Sequence, residues 1–264
     1  MPLKPNNPSV CVTTSSVCCL HDNAAGVVTY LSATPVTKCL KFTLDDDMTF
    51  PSRLIDGYHA FTEDRLPLER SRYEKLAETG QQPQVMVICC CDSRVSPEVI
   101  FDAHPGELFV VRNVANLVPA YSPSGFTHGV SAALEFAVQN LKVPYIMVMG
   151  HSHCGGVRAF VEHRGRTDPG DFIDNWMSLI EPAAQSLEDG KGLSRADYLA
   201  QLERGSVLAT LNNLVSFPWI KSRVEAQQLK LLGTYFDVAT GGLEIYDPDK
   251  DMFTPLSVEA TAAA

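Results

Sequence analysis

The chain has 264 residues, 45% of them hydrophobic and 20% charged, the balance of a folded globular protein rather than a disordered one. Its 21 basic and 31 acidic residues leave a formal charge of −10, the wrong sign for gripping a phosphate backbone, which argues against a nucleic-acid partner. No uncharged apolar run approaches the roughly 18–20 residues a membrane helix needs, so no membrane partner is expected either.

Residues 1–47 are rich in Ser, Thr, Pro and Asn, show no sustained period, and end in the acidic run Asp45–Asp47. They read as an irregular extension, a tail or targeting segment, although the absence of Arg makes them a weak match to a transit peptide. Met48 opens the patterned region and is a candidate alternative start, so the expected division is an extension over 1–47 and one α/β domain over 48–264. The compartment expected is the cytoplasm unless the extension carries an organellar address. Within the domain, residues 52–78 carry apolar positions at helical spacing, and Val85–Cys90 is a short apolar run that suits a strand buried on both faces. Leu108–Val111 is a second such run. Val130, Ala133, Leu134, Ala137, Val138 and Leu141 mark one face of a helix over 129–142, and Tyr145–Met149 is a third buried strand. Helical patterns return at 172–187 and 198–214, and Lys230–Phe236 with Leu243–Tyr246 across Gly241-Gly242 reads as a hairpin or edge pair. Strands joined by helical crossovers predict a mostly parallel central sheet flanked by helices.

There are eight cysteines, but a long chain without a signal-peptide pattern is not a disulfide scaffold. Cys11, Cys18, Cys19 and Cys39 fall in the extension, whereas Cys89, Cys90, Cys91 and Cys154 sit in patterned sequence and are expected to be reduced. The informative residues form two clusters, Cys89-Cys90-Cys91-Asp92-Ser93-Arg94 after the first strand and Gly150-His151-Ser152-His153-Cys154-Gly155-Gly156 after the third. Ligands bind at carboxyl ends of parallel strands. In extended chain Cys90, Asp92 and Arg94 share parity and face one way, while Cys89 and Cys91 point elsewhere and read as packing residues. His151 and Cys154, three apart, suit a turn entering a helix, with Gly155 and Gly156 permitting close backbone approach.

Cys90, His151 and Cys154 make a Cys₂His set, which suits Zn²⁺ and leaves a fourth tetrahedral position open for water, the mark of a catalytic site. Two thiolates neutralise the ion's charge, so bound water should be acidified less than in a three-histidine site and activity should favour alkaline pH. Asp92 is placed either to fill the fourth position or to hydrogen-bond a zinc-bound hydroxide, and Arg94 to pair with it bidentately.

Cys90–Arg94, His151–Gly156, Pro105-Gly106-Glu107 and Val110–Asn116 together resemble the β-class carbonic anhydrases, over nearly everything from Phe50 to Leu256. Gln81-Gln82-Pro83, with Asn212, Leu214 and Phe217-Pro218 assigned to a late helix, resembles the plant-type branch. The resemblance implies a carbonate dehydratase, hydrating CO₂ reversibly to bicarbonate and a proton through a zinc-bound hydroxide, with one zinc per subunit and a homodimer or higher homo-oligomer. Carried over, Cys90, His151 and Cys154 are the metal ligands and Asp92 with Arg94 the catalytic dyad. Gln81 matches a glutamine reaching the pocket from across the dimer interface, and Phe109, Val114 and Gly155 join it around the substrate. Phe136 stands where plant-type members place a tyrosine, and Asn140 where some relatives carry a shuttle histidine.

Three competing readings have weaker signals. A structural zinc module needs four closed ligands, usually in two tight pairs, and Cys90 lies far in sequence from His151. A thiol redox protein would be expected to show a Cys-x-x-Cys spacing, which the adjacent Cys89-Cys90-Cys91 lacks. A carbonyl sulfide or carbon disulfide hydrolase on the same zinc site is the alternative within the enzyme class. His153 is expected either to face solvent or to support the site from behind the ligands, and His21, His59, His104, His128 and His163 to be ordinary surface or loop residues.

Overall fold

The computed structural model describes residues 50–124, 128–164, 170, 172–187 and 190–257; the extension, with its four cysteines and His21, lies outside them. Contacts divide the chain into two compact units, Met1–Leu68 and Glu69–Ala264. The described part of the first holds α1 (Ser52–Ala60) and a π-helical turn over Phe61–Arg65, and α2 (Leu66–Thr79) begins at its end.

The second unit is built on a six-stranded sheet of β1 (Val85–Cys90), β2 (Leu108–Asn113), β3 (Tyr145–His151), β4 (Lys230–Phe236), β5 (Leu243–Asp247) and β6 (Met252–Pro255). Its order is β2-β1-β3-β4-β5-β6; the first four strands are parallel, and β5 and β6 add on antiparallel. The expected mostly parallel α/β sheet is therefore present, and β4 with β5 is a hairpin. That hairpin is not an edge, because β4 pairs with β3 and β6 closes the sheet beyond β5. The polar segment Pro248–Asp251 between β5 and β6 concealed the last short strand from a periodicity reading.

Between the strands lie α3 (Pro97–Ile100), α4 (Gly129–Glu135), α5 (Gly155–His163), α6 (Ile173–Met177), α7 (Glu181–Ser186), α8 (Arg195–Leu214) and α9 (Pro218–Glu225). The helix expected over 129–142 is divided, since α4 passes into a π-helical turn at Phe136–Asn140. The expected late helix also divides. Asn212 and Leu214 end α8, whereas Phe217 caps and Pro218 opens α9, because proline has no N–H for a helix interior but is preorganised for a first turn. At its other end α8 starts at Arg195, three residues before the apolar pattern, where the Ser194 hydroxyl accepts the Asp197 N–H at 3.1 Å.

Met86 to Cys90 are all buried, as expected of a central parallel strand. Alternation sends Met86 and Ile88 to the face shared with Ile146, Val148, Leu134, Val138, Val207, Leu214 and Ile220, while Val87 and Cys89 meet Met147 and Met149 on the other. Among the described residues no helix is long and apolar enough to cross a membrane.

The strand order positions the site. From β1 the chain turns to β2 on one side of the sheet and then crosses to β3 on the other, so the connections diverge between the carboxyl ends of β1 and β3. Such a reversal leaves a crevice at those ends where ligands bind.

Candidate metal centre and active site

Cys90 ends β1, His151 ends β3, and the register sets Cys89 opposite Met149, which brings the two ends level on either side of the crevice. Beyond His151 the backbone turns sharply through His153, at a φ of +59°, and Cys154 becomes the N-cap of α5. One ligand atom from each of Cys90, His151 and Cys154 then lies within 4.8 Å of the others, and all three residues are buried. Gly156 makes the turn fit: a Cβ there would stand 2.6 Å from Val114 Cγ1 and 3.3 Å from Ala115 Cβ. Gly155 does not share this packing role, since an added Cβ there would meet no protein atom within 4 Å.

The cluster has the chemistry of a metal site. The His151 Nδ1 lies 2.9 Å from the Ser152 carbonyl oxygen, which only accepts, so the ring proton belongs there and Nε2 is left as a buried lone pair without a hydrogen-bond partner. The Ala115 N–H, presented by a residue with φ +62°, points at the Cys90 sulfur from 3.4 Å. Cys90 is held below the ordinary thiol range, first by the Cys154 thiol and then by His151 and the Ala115 amide. The same pairing, with burial, pushes Cys154 upward. Burial opposes a charged His151 ring, but the neighbouring Cys90 thiolate outweighs it and the net shift is upward. Two soft thiols and one imidazole acceptor, buried together, fit zinc.

Asp92 does not join the three. Its Oδ1 accepts from Arg94 Nε at 2.9 Å and from the Arg94 backbone N–H at 3.0 Å, while Oδ2 accepts from Arg94 Nη2 at 2.7 Å. This bidentate grip holds the carboxyl well below the usual carboxylate range. The same guanidinium reaches the His153 carbonyl at 3.1 Å, tying the loop after β1 to the turn after β3. His153 itself is exposed. Cys89 lies on the opposite sheet face, its thiol pushed up to about 12 by burial, and Cys91 is exposed.

Three supporting residues had no assigned role from sequence. Arg112 donates to the carbonyls of Cys90 at 3.0 Å and Asp92 at 2.7 Å, fixing the loop from behind. Trp176 donates its indole N–H to the Val114 carbonyl at 2.8 Å. Glu203 is buried beneath Cys154 and accepts its backbone N–H at 2.9 Å. A glutamate on the buried stripe of α8, where its neighbours Tyr198, Leu202, Ser206, Val207, Thr210 and Leu214 are all uncharged, was the readable signal.

The substrate-pocket candidates separate. Val114 flanks the cluster and borders an apolar groove of about 660 Å³ shared with Phe172, Ile173, Trp176 and Leu179. Phe109 instead pairs with Met86, about four strand residues or ~13 Å back from Cys90, and stacks on Phe136 with ring centroids 5.9 Å apart. Gln81 is exposed in the segment before β1, farther still from the crevice. Within one chain these three are not brought to the cluster.

A family model described as carbonic anhydrase matches residues 85–243, and beta carbonic anhydrase 3 of Arabidopsis thaliana is 35% identical over 200 residues, covering 75% of this chain and 77% of the relative. The chain belongs to the β-class carbonic anhydrases. Its kinship with the plant protein places it in the plant-type branch of these zinc-using lyases. This β-class carbonic anhydrase shares its fold with the β-carbonic anhydrase CcaA, at a TM-score of 0.72 and 31% identity, over 79% of this chain and 92% of that one. One of the two tetrameric β-carbonic anhydrases of Sordaria macrospora matches at a TM-score of 0.65 and 28% identity, over 74% and 95%. All of these relatives are carbonic anhydrases, so the carbonyl sulfide or carbon disulfide reading finds no support among them.

Proposed function

We propose that this chain hydrates CO₂ reversibly to bicarbonate and a proton, with Cys90, His151 and Cys154 as the zinc ligands and Asp92 with Arg94 as the catalytic pair. The observation that carries the reading is the meeting of three buried donors, from the ends of two strands on opposite sides of the crevice, with one imidazole nitrogen unpartnered. Zinc bound there supplies Lewis acidity that lowers the pKa of a coordinated water.

The remaining work falls to the chain. With both Asp92 oxygens on Arg94, the carboxylate stays ionised and is oriented to accept a proton-bearing group beside the cluster. Val114 offers an apolar wall for a substrate without charge or dipole. Gln81, Phe109 and Phe136 stand at the other end of the sheet, so their contribution to a pocket comes from a second copy of the chain. The tetrameric Sordaria relative supports a homo-oligomer. With phenylalanine at 136, the side chain supplied there brings an apolar ring and no hydroxyl.

Stopped-flow CO₂ hydration with zinc quantification on the full chain tests the proposal. Cys90→Ala and Cys154→Ala are expected to lose zinc and activity together, whereas Asp92→Asn keeps zinc and slows hydration. Full activity in Cys154→Ala would overturn the ligand assignment.

A further inference from the structure

Glu203 lies in the middle of α8 with only 5% of its surface exposed, and both carboxylate oxygens are committed. Oε1 accepts the Cys154 backbone N–H at 2.9 Å and Oε2 accepts the Tyr235 hydroxyl at 2.8 Å. The chain of contacts continues outward. The Arg204 guanidinium carbon sits 3.8 Å over the centre of the Tyr235 ring, and its nitrogens grip the two oxygens of Glu244 on β5 at 2.9 and 2.8 Å.

A buried carboxylate is costly to maintain without a directly paired cation, and an isosteric apolar residue is often as stable or better for the fold alone. Here the carboxylate meets a peptide N–H and a phenol, which are donors of direction rather than charge. The packing around it is equally specific. A Cβ at Gly150, one residue before His151, would stand 2.6 Å from Val207 Cγ2 and 3.4 Å from the Glu203 carbonyl, so α8 presses on the end of β3 that leads into the Cys154 turn. That turn carries the left-handed His153, and its peptide has no strand or helix partner for the Cys154 N–H until Glu203 supplies one.

We propose that Glu203 is a positioning residue for the metal centre: it fixes the Cys154 peptide so that the sulfur meets Cys90 and His151, and Tyr235 fixes Glu203 in turn. Glu203 touches neither substrate nor reacting atoms and acts only through Cys154. The inference rests on the zinc assignment above.

The test uses the full-length, zinc-loaded protein. Zinc release to a chromogenic chelator and the absorption spectrum of the cobalt(II)-substituted protein are compared for wild type, Glu203→Ala, Glu203→Gln and Tyr235→Phe. Loss of an outer hydrogen bond to a metal site costs about ten- to a hundredfold in affinity. Glu203→Ala is expected to release zinc faster by that factor and to change the thiolate-to-cobalt charge-transfer band. Glu203→Gln, whose amide oxygen still accepts the Cys154 N–H, should return both readouts to within a few-fold of wild type, and Tyr235→Phe should fall between. A folded Glu203→Ala protein with wild-type release and spectrum overturns the inference, as does a glutamine variant no better than alanine. Should Glu203→Ala fail to fold, Tyr235→Phe decides by itself: faster release supports the role and unchanged release refutes it. A wild-type protein that binds no zinc, or a Cys154→Ala protein that keeps it, would defeat the zinc assignment instead.

Discussion

Replacing Gly156 by alanine places a Cβ 2.6 Å from Val114 Cγ1, 3.2 Å from the Met177 sulfur and 3.3 Å from Ala115 Cβ. Carbon atoms rest at about 3.5–4.0 Å, so Val114 must retreat by roughly 1 Å. It has little freedom to do so, because its carbonyl is held by Trp176 and the next residue directs its N–H at the Cys90 sulfur. Overpacking of this kind costs about 1–3 kcal/mol. For a folded unit of this size each kcal/mol moves the melting temperature by about 2–4 °C, so Gly156→Ala is expected to melt roughly 2–12 °C below wild type. Gly155 is the internal control. Nothing lies within 4 Å of a Cβ there, and alanine favours the helix by up to ~1 kcal/mol over glycine, so Gly155→Ala should melt at or above wild type. Thermal unfolding at fixed protein and zinc concentration measures both, since bound metal and subunit association shift the midpoint. Equal melting of Gly156→Ala and wild type, or a larger loss at 155 than at 156, would refute the packing argument.

Other outcomes follow from the same contacts. Trp176→Phe leaves the Val114 carbonyl without its donor, a loss of about 1–3 kcal/mol that should appear as a lower melting temperature and faster zinc release; an unchanged midpoint would dissociate the indole from the site. Arg94 holds the Asp92 carboxyl low, so the pair stabilises the fold fully above about pH 4, the unfolded value, and the contribution is lost as pH falls through the lower folded value. Metal-free Asp92→Asn should therefore be less stable than wild type near neutrality and converge with it in acid; a gap that widens in acid contradicts this sign. If Gln81, Phe109 and Phe136 serve a neighbouring subunit, activity per chain should fall on dilution together with the sedimentation mass. Constant specific activity in a demonstrably monomeric sample would remove them from the pocket.

The strands β1 to β3 and the two cysteine-bearing clusters were legible because buried parallel strands are continuous apolar runs and the chemistry-bearing residues lie directly at their ends. Elements shorter or less periodic than these were not. The four residues of β6 and of α3 carry too little pattern, and α5 begins with two glycines and has only nine residues, with its larger apolar side chains confined to Val157, Phe160 and Val161. Parity chose Cys90 over its two neighbours, and the structure puts Cys89 on the other face. It did not distinguish Gly155 from Gly156, a difference made by Val114, Ala115 and Met177 arriving from elsewhere in the chain. Glu203 and Trp176 act on backbone atoms 49 and 62 residues away, separations over which local pattern carries no information.

The parting of the chain's path between β1 and β3 gives an ion held at that place a mechanical part as well as a chemical one. A metal there would act as a rivet across the seam, joining a half of the sheet that ends with Cys90 to one that ends with His151 and continues through Cys154 into α5. Neither half carries the full donor set, so a fragment cut in the crossover between β2 and β3 forfeits the cluster. Loading would thus report assembly of the whole sheet, and a chelator would loosen the molecule at its centre before its edges.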